Sequence, residues 1–260
     1  MHNVTDTIRH ITVGDIQTNC WIYPLQNTGG SGADPVPCAV VDPGAEAEKI
    51  IAALRKFNYR PAYILLTHGH FDHIAALPSL FARYNGGYNS SGGGRHGETA
   101  EAGGPVIAVH RGDAEYLGAA SRNVHRKSFA AAAGNAAYVD ALWEDMPSPG
   151  RLLEEGDTIG PFRVLHLPGH TPGSAAFYDE TAGVLFSGDT LFQRDYGRTD
   201  LPGGNQTEIA ASLKRLLTMK EEIRVYPGHG PATTIGEEAR HNPALTDFFP
   251  QARRTGGTPR

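Results

Sequence analysis

The residues best suited to chemistry are clustered in the segment THGHFDH, residues 67–73. Three histidines and one aspartate occur within six consecutive residues, directly after the apolar run AYILL. In an extended segment, His68 and His70 point to the same side, because side chains alternate with a period of two. A helix that begins near Asp72 would turn Asp72 and His73 toward a neighbouring point. One short segment can therefore supply ligands to two metal ions, and its imidazole and carboxylate groups suit zinc, iron or manganese.

Three further polar side chains each follow an apolar strand and are flanked by glycine, which lets the backbone approach an ion closely. They are His170 in LPGHTPGS, Asp189 in LFSGDTLF and His229 in VYPGHG. Taken alone, each is commonplace, since a single histidine is more often a hydrogen-bonded structural residue than a ligand. With the first cluster they make five histidines and two aspartates. This set is enough for two divalent ions that share one bridging carboxylate.

The elements that must position these side chains occur in two similar halves. In the first half, IRHITV, NCWIYPL and CAVVDPG predict an antiparallel meander of strands. Apolar residues at helical spacing predict a helix over 45–57, and AYILL predicts a strand that is covered on both faces. A second helix is predicted over 72–84. The strand PVIAVH, a helix that starts near Asp113 and an alanine-rich helical stretch at 128–142 follow.

The second half repeats the order of strands and then helix. FRVLHL, SAAFYD and GVLFSGD predict strands, and the NQTE segment at 205–208 resembles a capping box at a helix start. IRVYPGHG predicts the last strand, with a short helix near Glu237. This order predicts an α/β fold in which two sheets pack face to face with helices outside. The polar ends of five chain segments would then meet at one edge.

The rest of the chain limits the possible classes of protein. The 260 residues fit a single domain over 1–260, with a flexible glycine-rich insertion at about 85–104. A net charge of −5 argues against nucleic-acid binding, and no apolar run is long enough to cross a membrane. The N-terminus lacks the features of a signal peptide, so we expect a cytoplasmic protein. Cys20 and Cys38 lie in apolar strands and are expected to be buried thiols. The sequence gives no indication of the oligomeric state.

The pattern HxHxDH…H…D…H resembles the metallo-β-lactamase superfamily, as do the strings GHTPGS and GDTLF. The resemblance implies an αββα sandwich of two mixed β-sheets flanked by helices. It also implies that Asp189 bridges two ions, and that Asp42 in VVDPG supports the ligand loop, although an aspartate there could simply cap a turn. The remaining implied ligands are His68, His70 and His170 for the first ion, and Asp72, His73 and His229 for the second.

Within the superfamily, the sequence is most similar to glyoxalase II, which hydrolyses S-D-lactoylglutathione to lactate and glutathione. The string GDTLFQRDYGRTDLPGGN resembles a compact, mostly bacterial subgroup. The larger enzymes bind glutathione through a lysine and a tyrosine in the loop after the bridging aspartate, and through a helical C-terminal domain. Here that loop reads GRTD, and little chain follows His229. Arg198 could serve as the carboxylate clamp. Tyr196, Arg198 and Asp200 are therefore candidates for substrate binding, or are solvated loop residues.

The resemblance implies a metal-dependent hydrolase of a small-molecule thioester. Two ions about 3.5–4 Å apart can share a water and lower its pKa toward about 7. Asp72 and Asp189 would orient the resulting hydroxide through the metals. Zinc is the expected ion, with iron or manganese as alternatives. Three other functions stay open: a persulfide dioxygenase with one iron, which also carries a GRTD string, a lactonase of the same fold, and a metal-binding scaffold without turnover.

Overall fold

Two six-stranded β-sheets form the framework of the molecule. The computed structural model describes residues 7–25, 34–85 and 103–248. Its strands, in chain order, are β1 (Arg9–Val13), β2 (Thr18–Pro24), β3 (Val36–Val41), β4 (Tyr59–Leu66), β5 (Val106–His110), β6 (Arg151–Leu153), β7 (Thr158–Ile159), β8 (Phe162–His166), β9 (Ala175–Asp179), β10 (Val184–Gly188), β11 (Leu191–Phe192), β12 (Asp195–Tyr196), β13 (Arg224–Pro227) and β14 (Thr233–Thr234).

The helices connect these strands or follow them. They are α1 (Ala47–Lys56), α2 (Phe71–Ile74), α3 (Leu77–Asn85), α4 (Arg122–Ala133), α5 (Ala137–Leu142), α6 (Gln206–Leu216) and α7 (Ile235–His241), with 3-10 helices at Arg111–Tyr116 and Pro243–Asp247. Among the described residues, no helix is long and apolar enough to cross a membrane.

Both sheets are mixed. The first has the order β1-β2-β3-β4-β5-β6. Its first three strands form the predicted antiparallel meander, and β3 to β6 run parallel. The second has the order β14-β13-β10-β9-β8-β7 and is antiparallel except where β13 pairs with β10. The carboxyl ends of β4, β8, β10 and β13 are followed directly by the predicted ligand segments.

The two sheets pack face to face through a layer of buried aromatic side chains. Tyr23 of the first sheet meets Phe162 of the second with ring centroids 4.9 Å apart, and Phe186 packs beside both. Outside the first sheet, α1 buries Ile50 and Leu54. Outside the second, α6 buries apolar residues in the same way. The predicted sandwich of two mixed sheets flanked by helices is confirmed.

The prediction of a single helix over 72–84 is wrong in one respect, because the structure has two helices there. The short α2 begins at Phe71 and α3 begins at Leu77. The break is explained by Ala76, whose backbone N–H donates to the carbonyl oxygen of Pro43 rather than to the preceding turn. The ligand segment is thereby fastened to the loop after β3.

Two other helix predictions also needed correction. The segment near Asp113 is only a short 3-10 helix, and the next α-helix, α4, starts at Arg122. The alanine-rich stretch forms two helices, because Gly134 adopts a left-handed conformation (φ 78°) that ends α4. Nearly all of the predicted insertion at 85–104 lies outside the described residues, so its predicted flexibility stays a prediction, as does the single domain.

Candidate metal centre

The structure brings all seven predicted ligand side chains together at one edge of the sandwich. They lie at the ends of strands from both sheets, where the carboxyl ends of β4, β8, β10 and β13 meet. Three groups have donor atoms within 4.8 Å of one another and could each hold a metal ion. These groups are His68, His70 and His170; His68, His73 and Asp189; and Asp72, His73 and His229.

The first group presents three imidazoles to one point. His70 Nδ1 lies 2.9 Å from His170 Nε2. His68 Nε2 is buried and has no hydrogen-bond partner among the described residues. Burial lowers the pKa of His68 well below its usual value, with a further contribution from the neighbouring imidazoles, and lowers the pKa of His70 to about 3. Both rings are therefore neutral at pH 7, which is the form that binds a metal ion.

The second group places two imidazoles beside a carboxylate. His73 Nε2 lies 3.2 Å from His229 Nε2. Asp72 Oδ2 lies 3.6 Å from the former nitrogen and 3.4 Å from the latter. Burial lowers the pKa of His73, but the carboxylates of Asp189 and Asp72 outweigh it and raise that pKa overall. Protons and a metal ion would compete for these ring nitrogens.

Asp189 lies between the two groups. Its Oδ1 is 3.4 Å from His73 Nε2, and its Oδ2 is 3.6 Å from His170 Nε2 and 3.5 Å from His229 Nε2. Oδ1 is buried and accepts no hydrogen bond from the described residues. A buried carboxylate oxygen without a donor is costly, and a cation would satisfy it together with the unpartnered His68 Nε2. The donor set therefore fits divalent metal ions.

The outward nitrogens of three of these imidazoles are held in place, as is usual for metal-binding histidines. His68 Nδ1 lies 3.1 Å from Thr67 Oγ1, and His170 Nδ1 donates to the backbone oxygen of Arg198 at 2.7 Å. His73 Nδ1 lies 3.0 Å from Asp42 Oδ2. Each of these contacts leaves the other nitrogen of the ring facing the centre.

Asp42, for which the resemblance implies a supporting role, lies against the ligand segment. Its carboxylate accepts hydrogen bonds from Thr67 N at 2.8 Å and Thr67 Oγ1 at 2.7 Å, in addition to the contact with His73. It adopts φ 52°, which is uncommon for a residue other than glycine. Asp42 therefore fixes both ends of the ligand segment.

The loop that carries His229 is fastened to the first sheet. Asn19 N–H donates to the oxygen of Gly228, and the Asn19 side-chain amide donates to the oxygens of Pro227 and Gly230 at 3.0 and 2.7 Å. Thr18 forms an isolated bridge with His229 and donates through Oγ1 to Asp72 Oδ2 at 3.2 Å. The centre thus spans both sheets.

Asp113 is the main site residue that the sequence did not reveal. It is fully buried after β5 and accepts hydrogen bonds from Gly69 N at 2.8 Å, Gly173 N at 2.6 Å and Thr171 Oγ1 at 2.7 Å. It therefore joins the loop of His68 and His70 to the loop of His170. The available signal was an aspartate just beyond the strand next to β4, but the sequence around it has no ligand motif.

A cavity of about 580 Å³ opens over the centre. Five of the predicted ligands line it, together with Tyr196 and Arg198. Asp200 is not among the residues that line it. Instead, its carboxylate pairs with Arg198 through two contacts, of 2.7 and 2.8 Å. The guanidinium of Arg198, the candidate carboxylate clamp, is thus already engaged with a carboxylate.

Comparison with known proteins gives a consistent result. Residues 33–87 and 94–229 match the metallo-beta-lactamase superfamily. The probable metallo-hydrolase YqgX of Bacillus subtilis is 34% identical over 92% of this chain and 98% of its own length. The hydroxyacylglutathione hydrolase GloC of Haemophilus influenzae is 32% identical over 82% of this chain and 89% of its own.

Two solved structures are similar over nearly their whole length. TTHA1623, in a di-iron-bound form, has a TM-score of 0.68 and 38% identity, covering 90% of this chain and 98% of that one. The B3 metallo-beta-lactamase BLEG-1 has a TM-score of 0.70 and 33% identity, covering 92% and 99%. The names of these relatives indicate different substrates, since GloC is named a hydroxyacylglutathione hydrolase and BLEG-1 a metallo-beta-lactamase.

Proposed function

Because the chain belongs to the metallo-β-lactamase superfamily, we propose that this metallo-hydrolase cleaves thioesters in the manner of glyoxalase II, with two divalent ions at its centre. The substrate would be S-lactoylglutathione or a related hydroxyacyl thioester, and the products a hydroxy acid and a thiol. We propose zinc as the native metal, with iron as the alternative that the di-iron relative supports. The similarity to GloC supports the choice of a thioester.

The observation that carries the proposal is the convergence of all seven side chains at one centre, five of which line the cavity above it. His68, His70 and His170 would hold one ion. Asp72, His73 and His229 would hold the other, and Asp189 lies between the groups and would bridge them. A persulfide dioxygenase needs only one iron, held by two histidines and one aspartate. The second group of donors favours hydrolysis over that function.

When bound, the two ions would polarise the thioester carbonyl and lower the pKa of a shared water. Hydrolysis would add the oxygen of that water to the carbonyl carbon and break the C–S bond. One proton of the water would pass to the departing thiolate and the other to solvent. A thiolate is a good leaving group at pH 7, so no strong general acid is required of the chain. Asp72 Oδ2 and Asp189 Oδ2 lie 3.4 and 3.5 Å from His229 Nε2. Asp72 and Asp189 would orient that water through the ions that they help to hold.

The test is a kinetic comparison on protein of measured metal content. S-Lactoylglutathione, other thioesters, an acyl-homoserine lactone and a β-lactam are supplied to protein loaded with zinc or with iron. We expect thioester hydrolysis that is lost in His170→Asn, together with metal. It should be retained in His241→Asn, which changes an exposed histidine outside the centre.

Three results would contradict the proposal. Preferred hydrolysis of the lactone or the β-lactam would reassign the substrate class. One iron per chain with oxygen uptake on glutathione persulfide would indicate the dioxygenase. Inactivity toward every substrate with both ions bound would indicate a scaffold without turnover.

A further inference from the structure

One wall of the cavity is formed by a single face of α4. His125, Ser128, Phe129, Ala132 and Ala133 line it, at the spacings of three and four residues that place side chains on one side of a helix. Ala132 and Ala133 are exposed. The outer part of this face therefore offers methyl groups and one aromatic ring to whatever occupies the cavity.

Apolar side chains from other segments complete this wall. Ile16, in the turn between β1 and β2, lines the cavity together with Phe192 and Leu201. The side chain of Ile16 is 39% exposed, and Leu142 is the other large exposed apolar residue of the described chain. Single exposed apolar residues are normal. Several apolar side chains that line one cavity above a metal centre, exposed or half-buried, instead indicate a binding surface for apolar groups.

The charges around the cavity do not favour a thiol that carries several carboxylates. Among the described residues, Arg198 is the only arginine or lysine that lines it, and its guanidinium is paired with Asp200. Asp195 lines the cavity as well, and Asp72 and Asp189 lie at its floor. Glutathione, which has two carboxylates, would thus find no unpaired basic side chain on the described walls.

We propose that the substrate is a thioester with an apolar chain of several carbons, which lies along the α4 face with its reacting carbonyl over the metal centre. This inference rests on the proposed thioester hydrolysis and names an apolar thioester, in place of S-lactoylglutathione, as the preferred substrate. The chain could belong to the acyl group or to the thiol. In either case it would be recognised by the same contacts with Ile16, Phe129, Ala132 and Ala133.

The first test varies chain length. One series carries acyl chains of increasing length on a small uncharged thiol, and the other carries acetyl groups on alkanethiols of increasing length. We expect kcat/KM to rise about fourfold for each added methylene that the wall covers, since burying a methylene contributes about 0.8 kcal/mol. The series that shows the rise identifies the side of the thioester that carries the chain. S-Lactoylglutathione should be a poorer substrate than the best member.

The second test uses two matched pairs of variants. Ile16→Asn should flatten the dependence on chain length, whereas Leu142→Asn changes an equally exposed residue that does not line the cavity and should leave it intact. Ala132→Arg should likewise weaken selection for long chains. Its neighbour Ala131→Arg lies on the same helix outside the cavity and should not.

A binding measurement separates this inference from the proposed function. Alkyl thioethers, which cannot be hydrolysed, are titrated into the metal-free protein by calorimetry, and we expect affinity to rise with chain length in wild type and less in Ile16→Asn. Absence of all turnover with this binding retained would defeat the thioester hydrolase and leave the apolar site standing. Equal rates and affinities across all chain lengths, or a clear preference for S-lactoylglutathione, would overturn the inference and leave the hydrolase standing.

Discussion

The hydrogen bonds of Asp113 predict that the metal centre depends on a residue whose hydrogen bonds go to the ligand loops rather than to ligand side chains. Asp113 accepts from Gly69 N and Thr171 Oγ1 through Oδ2 and from Gly173 N through Oδ1, so each oxygen has one backbone donor. In Asp113→Asn, the new NH2 group must therefore face a backbone donor, whichever way the amide is turned. The less costly orientation leaves the N–H of Gly173 without an acceptor, while Thr171 keeps both of its contacts, with Asp113 and with Ser174.

The expected magnitude follows from that single lost acceptor. A buried donor without a partner costs about 1–3 kcal/mol. In a domain of this size, each kcal/mol lowers the melting temperature by about 2–4 °C. The substitution also loosens the loop of His70 against the loop of His170, so metal affinity should fall by about tenfold, the lower end of the effect found for residues that support metal ligands.

The assay measures thermal unfolding of the metal-free protein and metal affinity by competition with a chelating dye. Asp179→Asn is the matched control, because buried Asp179 accepts from Tyr23 Oη at 2.6 Å and Ala182 N at 2.9 Å, away from the centre. It should lower stability without changing metal affinity. If the two variants lose stability equally and both bind metal as wild type does, Asp113 has no positioning role and the reasoning is refuted.

Three further perturbations test other parts of the structure. A methyl group at Gly228 would clash with Asp189 Oδ1 and would lie 2.6 Å from His73 Cε1. Gly228→Ala should therefore retain the circular dichroism of wild type yet lose most of its bound metal. The control Gly103→Ala, whose methyl group meets no described atom within 4 Å, should keep its bound metal. Arg215 lowers the pKa of Glu155 below its usual value, so this pair contributes stability above about pH 4.3 that is lost as the pH falls further. The melting temperature, measured from pH 7 to pH 3, should therefore fall less in Glu155→Gln than in wild type. An identical fall in both proteins would contradict the pairing. Burial raises the pKa of the Cys20 and Cys38 thiols. A thiol reagent such as Ellman's should therefore label neither thiol in the native protein and both in urea. Rapid labelling of the native protein would argue against their burial.

The sequence was most informative where a strand ends in a polar residue. The segments after β4, β8, β10 and β13 were found because an apolar run followed by glycine and a histidine or aspartate is a local pattern, and strand ends of a layered fold meet at one edge. The start of α6 was found for a similar reason. Asn205 accepts from the backbone N–H groups of Thr207 and Glu208, as the capping pattern predicted.

What the sequence could not give depends on contacts between distant segments. The break between α2 and α3 arises because Ala76 bonds to Pro43, and no residue near Ala76 indicates this. Asp113 acts through two loops that lie 44 and 60 residues away along the chain. Arg198 and Asp200 are close in sequence, yet the sequence does not show whether Arg198 pairs with Asp200 or with a carboxylate of the substrate, because this depends on side-chain geometry.

The hydrogen bonds between Asn19 and the His229 loop have a consequence for how the protein acquires its activity. They join positions as much as 211 residues apart, and contacts of such long sequence separation are slow to form because a large loop must first be closed. Neither sheet alone contains the complete donor set. Each sheet can form its own hydrogen bonds during refolding before the complete donor set is assembled, so we expect tight metal uptake to mark the final docking of the two halves.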